Sequence, residues 1–94
     1  NIAPAHVEAA LLTHPGVRNV AVLGRPDRDL GELVAAAVQV DTPDAVSAAE
    51  LAEHVAPLLA AFAVPAQWWI RTEPLPMTDA GKPDKRALAK LWPA

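Results

Sequence analysis

Val17-Arg18-Asn19-Val20-Ala21-Val22-Leu23-Gly24-Arg25-Pro26-Asp27-Arg28-Asp29-Leu30-Gly31-Glu32-Leu33-Val34-Ala35-Ala36-Ala37-Val38-Gln39-Val40 contains two apolar runs with one polar stretch between them. Val17 to Leu23 carries apolar side chains on both faces of an extended chain, which predicts a buried strand. Gly24 to Asp29 predicts a polar loop that closes at Gly31. Leu33 to Val40 predicts a second strand, with Ala35 and Ala37 on one face and Val34, Val38 and Val40 on the other. Small residues on one face imply a helix packed close against it. A connection this short predicts antiparallel pairing, because a parallel crossover takes about a dozen residues or more.

Outward from this pair, Pro4 suits the first turn of a helix, where its missing N–H costs nothing. Val7, Ala10, Leu11 and His14 then recur at helical spacing until Pro15-Gly16 stops the run. Asp41 to Val46 reads as a loop. Ser47 and Glu50 have the spacing of a capping box, opening a helix predicted to run to about Ala61. Pro57 should kink or split that helix near His54. Leu51, Val55, Leu58, Leu59 and Phe62 supply its expected buried stripe. Trp68 to Thr72 predicts a third strand in which one indole enters the core and the other faces a partner. Asp84 to Leu91 predicts a last helix with Leu88 and Leu91 inward. The order α-β-β-α-β-α predicts one α+β domain over residues 1–94, a small three-stranded, largely antiparallel sheet flanked by helices.

Composition narrows the function. With 52% hydrophobic but only 4% aromatic residues, the core must be built from Val, Leu and Ala. The absence of cysteine excludes disulfides, iron–sulfur ligation and a thiol nucleophile. A net charge of −3 argues against a nucleic-acid surface. No apolar run approaches the roughly 18 residues of a membrane span. The chain opens at Asn1 without an initiator Met or a signal peptide, so a piece of a longer, cytoplasmic protein is expected.

Few residues stand out chemically. His6, His14 and His54 lie on two predicted helices without metal-ligand spacing and read as surface or cap residues. Glu8, Glu32, Glu50, Glu53 and Glu73 form no acid/base pair, and Asp27-Arg28-Asp29 reads as a charged turn. Lys82 sits in Leu75-Pro76-Met77-Thr78-Asp79-Ala80-Gly81-Lys82-Pro83-Asp84-Lys85, where turn-forming residues present its charge outward. A phosphate-binding loop would need Gly at position 76 and Ser or Thr at position 83; both are Pro, so that reading fails.

Several segments together resemble the C-terminal domain of the adenylate-forming enzymes: acyl-CoA synthetases, carrier-protein-loading adenylation domains and beetle-type luciferases. Asn1-Ile2-Ala3-Pro4-Ala5-His6-Val7-Glu8 looks like that domain's N-I-x-P-x-E-V-E opening, with His6 in place of the usual Glu. His14-Pro15-Gly16-Val17, Ala21 to Asp27 and Gly31-Glu32 resemble its H-P-x-V…A-V-x-G-x-P-D…G-E core. Phe62-Ala63-Val64-Pro65 stands where the family has an aromatic–Lys–x–Pro segment. Leu75 to Lys85 matches L-P-x-T-x-x-G-K-x-x-[KR], with Pro83 replacing an aliphatic residue and biasing Lys82 toward an extended backbone. The resemblance spans essentially the whole chain.

What it implies is a two-step ligation: a carboxylate attacks the α-phosphate of ATP to form an acyl-adenylate, then a thiol displaces AMP. Lys82 is the implied catalytic residue of the first step, presented by a loop containing Thr78 and Gly81. A compact ammonium with three donors suits two anions being brought together. In the second step the small domain rotates, and the face around the first helix and the Gly24–Gly31 loop lines the pantetheine tunnel. This assigns substrate or CoA contact to Gly24, Arg28, Leu30 and Phe62. Phe62 can stack on an adenine ring or belong to the core. Ala63 and Ala66 stand where CoA-using relatives carry lysines, so the CoA phosphates fall to Arg25, Arg28 or Arg71, or a carrier-protein phosphopantetheine is the acceptor. Pro26-Asp27 with Gly31-Glu32 looks more like the acyl-CoA synthetase branch, so an acid–CoA ligase is the leading expectation. The implied partners are an N-terminal adenylation domain in cis that binds the acid, ATP and its Mg, the acceptor thiol, and a lysine acetyltransferase acting on Lys82. Without the adenylation domain the chain should be inert. A free-standing interaction module is the competing class.

Overall fold

The computed structural model describes residues 3–93, so Asn1 and Ile2 of the opening stretch lie outside the described residues. Helix α1 (Pro4–Leu12) starts on its proline and buries Val7, Ala10 and Leu11. The chain then leaves the helix before His14, so His6 and His14 do not share one, contrary to expectation. Strands β1 (Asn19–Asp27) and β2 (Gly31–Gln39) pair antiparallel in the expected hairpin, from Asn19↔Gln39 to Asp27↔Gly31. The Gly24–Asp27 segment expected as loop is the outer half of β1. Its only proline, Pro26, is tolerated because β1 is an edge strand, with no further strand paired to its far side among the described residues. Only Arg28, Asp29 and Leu30 turn, and Gly31 follows with φ of 83°.

Helix α2 (Ala48–Val55) opens where expected, the Ser47 hydroxyl accepting the Glu50 N–H at 3.1 Å. The box is half closed, because the Glu50 carboxylate meets His14 Nε2 at 2.7 Å. Pro57 splits the segment: α2 stops at Val55 and two single 3-10 turns, Ala56–Leu58 and Ala61–Ala63, replace its expected second half. Leu51 and Val55 are fully buried and Leu59 packs partly against the core. Leu58 and Phe62 are solvent-exposed instead, because the split rotates them off the buried stripe.

Strand β3 (Gln67–Arg71) lies parallel to β2, not antiparallel, which makes the sheet mixed, in the order β1-β2-β3. Residues 40–66 carry the chain over one face through α2 and return it to the same end of the sheet, well above the crossover length a parallel pair needs. Helix α3 (Lys85–Leu91) closes the fold, with the Asp84 carboxylate accepting the Ala87 N–H at 3.0 Å as its N-cap. Leu88 is fully buried, whereas Leu91, the last helical residue, is exposed, and Trp92 after it packs against that cluster instead.

The sheet is covered on both faces. Val20, Val22, Ala36, Val38 and Val40 pack with α1 and α2. On the other face Ala21 and Ala37 admit Leu75 and Leu88 at close range, as the alanine stripe predicts. Trp68 and Trp69 divide between the two faces, yet both are half-buried: Trp68 packs with the first cluster, Trp69 with the second and with Trp92. Neither is the outward-facing indole expected, because α3 and the segment after it cover the second face.

Candidate functional site

The Lys82 loop is a closed hairpin. The Thr78 N–H donates to the Lys82 carbonyl at 2.7 Å, and the Gly81 N–H donates to the Thr78 carbonyl at 3.0 Å. Gly81 has φ of 82°, the left-handed conformation that lets so short a turn close and that an L side chain resists. At the root, Met77 and Pro83 bridge, and the Asp84 N–H donates to the Pro76 carbonyl at 2.7 Å. The loop is therefore tied at tip and root. Leu75, buried against Leu88, anchors it to the body on one side. Pro83 removes a backbone donor within the loop and narrows its freedom further.

Lys82 is exposed, and among the described residues no carboxylate pairs with it. It borders a groove of about 520 Å³ lined by Glu8, Thr78, Lys82, Pro83 and Lys85. Among the described residues the other ammonium lining the groove is already paired: Lys85 Nζ lies 3.0 Å from Glu8 Oε2. The same Glu8 oxygen accepts the Val22 N–H at 2.8 Å, on the open side of β1. The groove thus carries one uncompensated positive charge, held on a tied loop, beside a neutralised pair. That arrangement suits attraction of an anion at one point rather than over a broad basic surface.

Thr78 and Gly81 surround Lys82, and the residues expected to serve the other step lie apart from it. Gly24, Arg28 and Leu30 belong to the β1–β2 hairpin, whose tip lies at the far end of β1 from the Lys82 loop. Asn19, whose side chain touches Met77 Sδ at 3.8 Å, marks the near end of that strand. Asp27 lies eight steps along the strand from Asn19, about 26 Å at about 3.3 Å per residue. At the tip the Asp27 carboxylate accepts the N–H groups of Asp29 and Leu30 at 3.1 and 2.7 Å, and Leu30 stands 73% exposed. Gly24 leaves room for the Glu32 carboxylate, which an added Cβ would meet. Phe62 is 70% exposed, which removes the core alternative for it.

Two arginines considered for the CoA phosphates are already engaged. Arg25 Cζ lies 4.9 Å from the Trp92 ring centroid, and its Nε donates to Gln67 Oε1 at 3.1 Å. Arg71 Cζ lies 4.5 Å from the Trp69 ring and donates to the carbonyls of Glu73 and Pro74. Arg28 is exposed and, among the described residues, makes no such contact. Two of the histidines are structural: His14 Nδ1 accepts the Gly16 N–H, so its Nε2 carries the proton toward Glu50, and His54 contacts the Thr13 hydroxyl at 2.7 Å, while His6 is exposed. Among the described residues no group of three or more His, Cys, Asp or Glu side chains is placed to hold a metal, and no helix is long and apolar enough to cross a membrane. Sequence reasoning missed Glu8, which it left unpaired, and gave Lys85 no role beyond a motif position; their pairing joins residues 77 positions apart, which no local pattern encodes.

The family described as AMP-binding enzyme C-terminal domain matches residues 6–82. A mitochondrial malonate–CoA ligase from Xenopus laevis is 38% identical over 87 residues, 93% of this chain and 15% of that protein. An isonitrile lipopeptide synthase from Streptomyces coeruleorubidus is 42% identical over 90 residues, 96% of this chain and 6% of that protein. In three dimensions a fatty acyl CoA synthetase from Mycobacterium tuberculosis superposes with a TM-score of 0.88 at 32% identity, over 98% of this chain and 18% of that one. The chain therefore spans less than a fifth of each of these relatives.

Proposed function

Because the chain belongs to the family of AMP-binding enzyme C-terminal domains, we propose that it is the lid of an AMP-forming acid–CoA ligase, working with an adenylation domain that precedes it in cis. In the first half-reaction a substrate carboxylate oxygen bonds to the α-phosphorus of ATP and the bond to pyrophosphate breaks. Lys82 holds the carboxylate and an α-phosphate oxygen together and offsets the charge that builds on the phosphoryl oxygens. The observation that carries this reading is Lys82 itself: an exposed ammonium without a carboxylate partner among the described residues, on a loop tied at tip and root. The acid, ATP and the Mg that accompanies it would be held by the adenylation domain, so the lid alone forms no adenylate.

In the second half-reaction the thiol sulfur bonds to the acyl carbon and AMP leaves. The β1–β2 tip supports a separate role in this step, because it projects from the opposite end of the strand that leads from the Lys82 loop. Arg28 and Leu30 at that tip and the exposed Phe62 are the proposed contacts for the pantetheine thiol donor. Rotation of the lid would exchange one end for the other between steps. A cytoplasmic setting, where ATP and CoA are at hand, goes with this reading.

A carrier-protein phosphopantetheine is the second acceptor to consider. It is favoured by one observation: Ala63 is buried in the core, Ala66 is uncharged, and Arg25 and Arg71 are occupied by tryptophans, which leaves few cations for the CoA nucleotide phosphates. Mass spectrometry of the product from the full-length protein, offered CoA and a holo-carrier protein, separates the two. The central test is Lys82→Ala in the full-length protein. Acyl-adenylate formation should collapse, while thioester formation from supplied acyl-adenylate should be largely kept. Equal loss of both half-reactions would overturn the two-ended mechanism. Acetylation would act at the same atom by removing the charge, so Lys82→Gln should behave as Lys82→Ala does.

A further inference from the structure

We propose that Glu8 is a positioning residue for Lys82, acting through Lys85; this rests on the reading of Lys82 as the adenylation lysine. The Lys82 loop is internally rigid, so its aim is decided by how its root is fixed to the body. One fixing point is apolar: Leu75 and Leu88 pack into the alanine face of the sheet. That apolar anchor resists withdrawal but is non-directional, and the polar contacts beside it, Leu75 N–H to Gln39 Oε1 at 3.4 Å and Asn19 Nδ2 to Met77 Sδ at 3.8 Å, are long and weak, so the loop can still pivot. The second point lies across the root. Lys85, the first residue of α3 and three positions beyond Lys82, is gripped by Glu8 at 3.0 Å. Glu8 is itself fixed, because its Oε2 also accepts the Val22 N–H at 2.8 Å and its side chain is only 21% exposed. Helix α1, the open edge of β1 and the start of α3 thus meet at one carboxylate oxygen beside the groove that Lys82 borders.

The same contact has an electrostatic consequence. Lys85 lies on the same groove and, left unpaired, would offer a competing ammonium to any anion approaching Lys82. Glu8 cancels that charge and leaves the attraction centred on Lys82. Both effects act on the geometry of the reacting groups, where small displacements are costly in rate.

The test separates the ion pair from the strand-edge hydrogen bond. In the full-length enzyme Glu8→Gln keeps an amide oxygen to accept the Val22 N–H but loses the charge that holds Lys85. Adenylation kcat should fall about tenfold, equivalent to about 1.4 kcal/mol, with KM for ATP and acid little changed. Thioester formation from supplied acyl-adenylate should stay within about twofold. Lys85→Met should reproduce the loss and Lys85→Arg should restore most of the rate. In a Lys82→Ala background Glu8→Gln should cost nothing further, because a residue that acts through Lys82 has nothing left to position. Adenylation unchanged in Glu8→Gln, an equal loss in both half-reactions, or an additive loss in the double variant would each overturn the proposal. If Lys82→Ala itself kept full adenylation, the reading beneath it would fall first, and that variant alone reports it.

Discussion

At one end of β1 the chain reverses through Arg28, Asp29 and Leu30 into Gly31; beyond its other end it reverses through Asp79 and Ala80 into Gly81. Both turns use a glycine in the left-handed region, at φ of 83° and 82°. Each is also tied by a side-chain oxygen at its start, the Asp27 carboxylate in one and the Thr78 hydroxyl, 3.4 Å from the Lys82 N–H, in the other. What they present differs. The first offers Leu30, mostly exposed, beside Arg28; the second offers Lys82 beside a groove. One turn architecture therefore carries two chemistries, an exposed apolar side chain beside an arginine and a lone ammonium beside a groove, for which contact with a pantetheine arm and with a phosphoryl group are the proposed roles. Their mounting differs as well. The hairpin tip extends past the body on its own two strands, whereas the Lys82 loop is braced by a buried leucine pair and by the Glu8–Lys85 bridge. The tighter mounting belongs to the end proposed to act on a reacting phosphorus, where misplacement is most costly.

The comparison breaks most cleanly at Lys82. Lys82→Ala in the full-length enzyme should slow adenylation by about 10²–10³-fold, the range seen when one preorganised charge-stabilising donor is lost. Pyrophosphate release reads the first step and thioester formation from supplied acyl-adenylate the second; a loss in the second of similar size would mean the two ends are not separate. At the other turn, Arg28→Ala combined with Leu30→Ala should raise KM for the thiol donor by about tenfold and leave adenylation unaffected, consistent with loss of one apolar contact and one exposed charge. An adenylation defect in that variant would place the tip at the wrong step.

The shared glycine geometry gives a smaller, symmetric test. Among the described residues nothing lies within 4 Å of a Cβ built at Gly31 or Gly81, so alanine at either meets only backbone strain, about 1–2 kcal/mol. Both variants should lower the denaturation midpoint by similar amounts. Function should divide: Gly81→Ala impairs adenylation, Gly31→Ala impairs thiol transfer. Smallest is a control that belongs to neither turn. Arg18 donates to both Asp41 oxygens at 3.0 Å from Nε, and a further bond at 2.7 Å from Nη2 completes the fork. The hydrogen bond from Arg18 holds the Asp41 carboxyl below its ordinary value, and Asp41 in turn raises the guanidinium. A depressed carboxylate contributes stability above its unfolded value and loses it as pH falls through the folded one. Arg18→Ala should therefore lower the denaturation midpoint slightly at neutral pH, with the difference vanishing in acid, and leave both half-reactions alone.

The hairpin was legible because its apolar runs, its alanine stripe and its short connection all point the same way. The α2 start was legible from Ser47, and the Lys82 loop from its turn residues. Errors fell where local pattern and tertiary demand part. Gly24–Asp27 reads as polar loop by composition, yet an unpartnered edge tolerates Pro26 and lets the ladder continue. Leu58, Phe62 and Leu91 have helical spacing, but a proline split leaves the first two outside, and at the end of the last helix Trp92 rather than Leu91 packs on the sheet. The direction of β3 was not readable from Trp68–Thr72, because strand composition says nothing about which end of the sheet the chain returns to.

By itself, then, the sequence determined which segments are apolar on which face, where helices begin and where turns must fall, since these depend on neighbours in the chain. It also placed Lys82 on a turn within a recognisable signature. Tertiary structure alone decided the parallel pairing of β3, the engagement of Arg25 and Arg71 by indoles, and the meeting of Glu8, Val22 and Lys85 at one oxygen. Those are contacts between residues far apart in the chain, made only once both faces of the sheet are covered, and no local periodicity carries them.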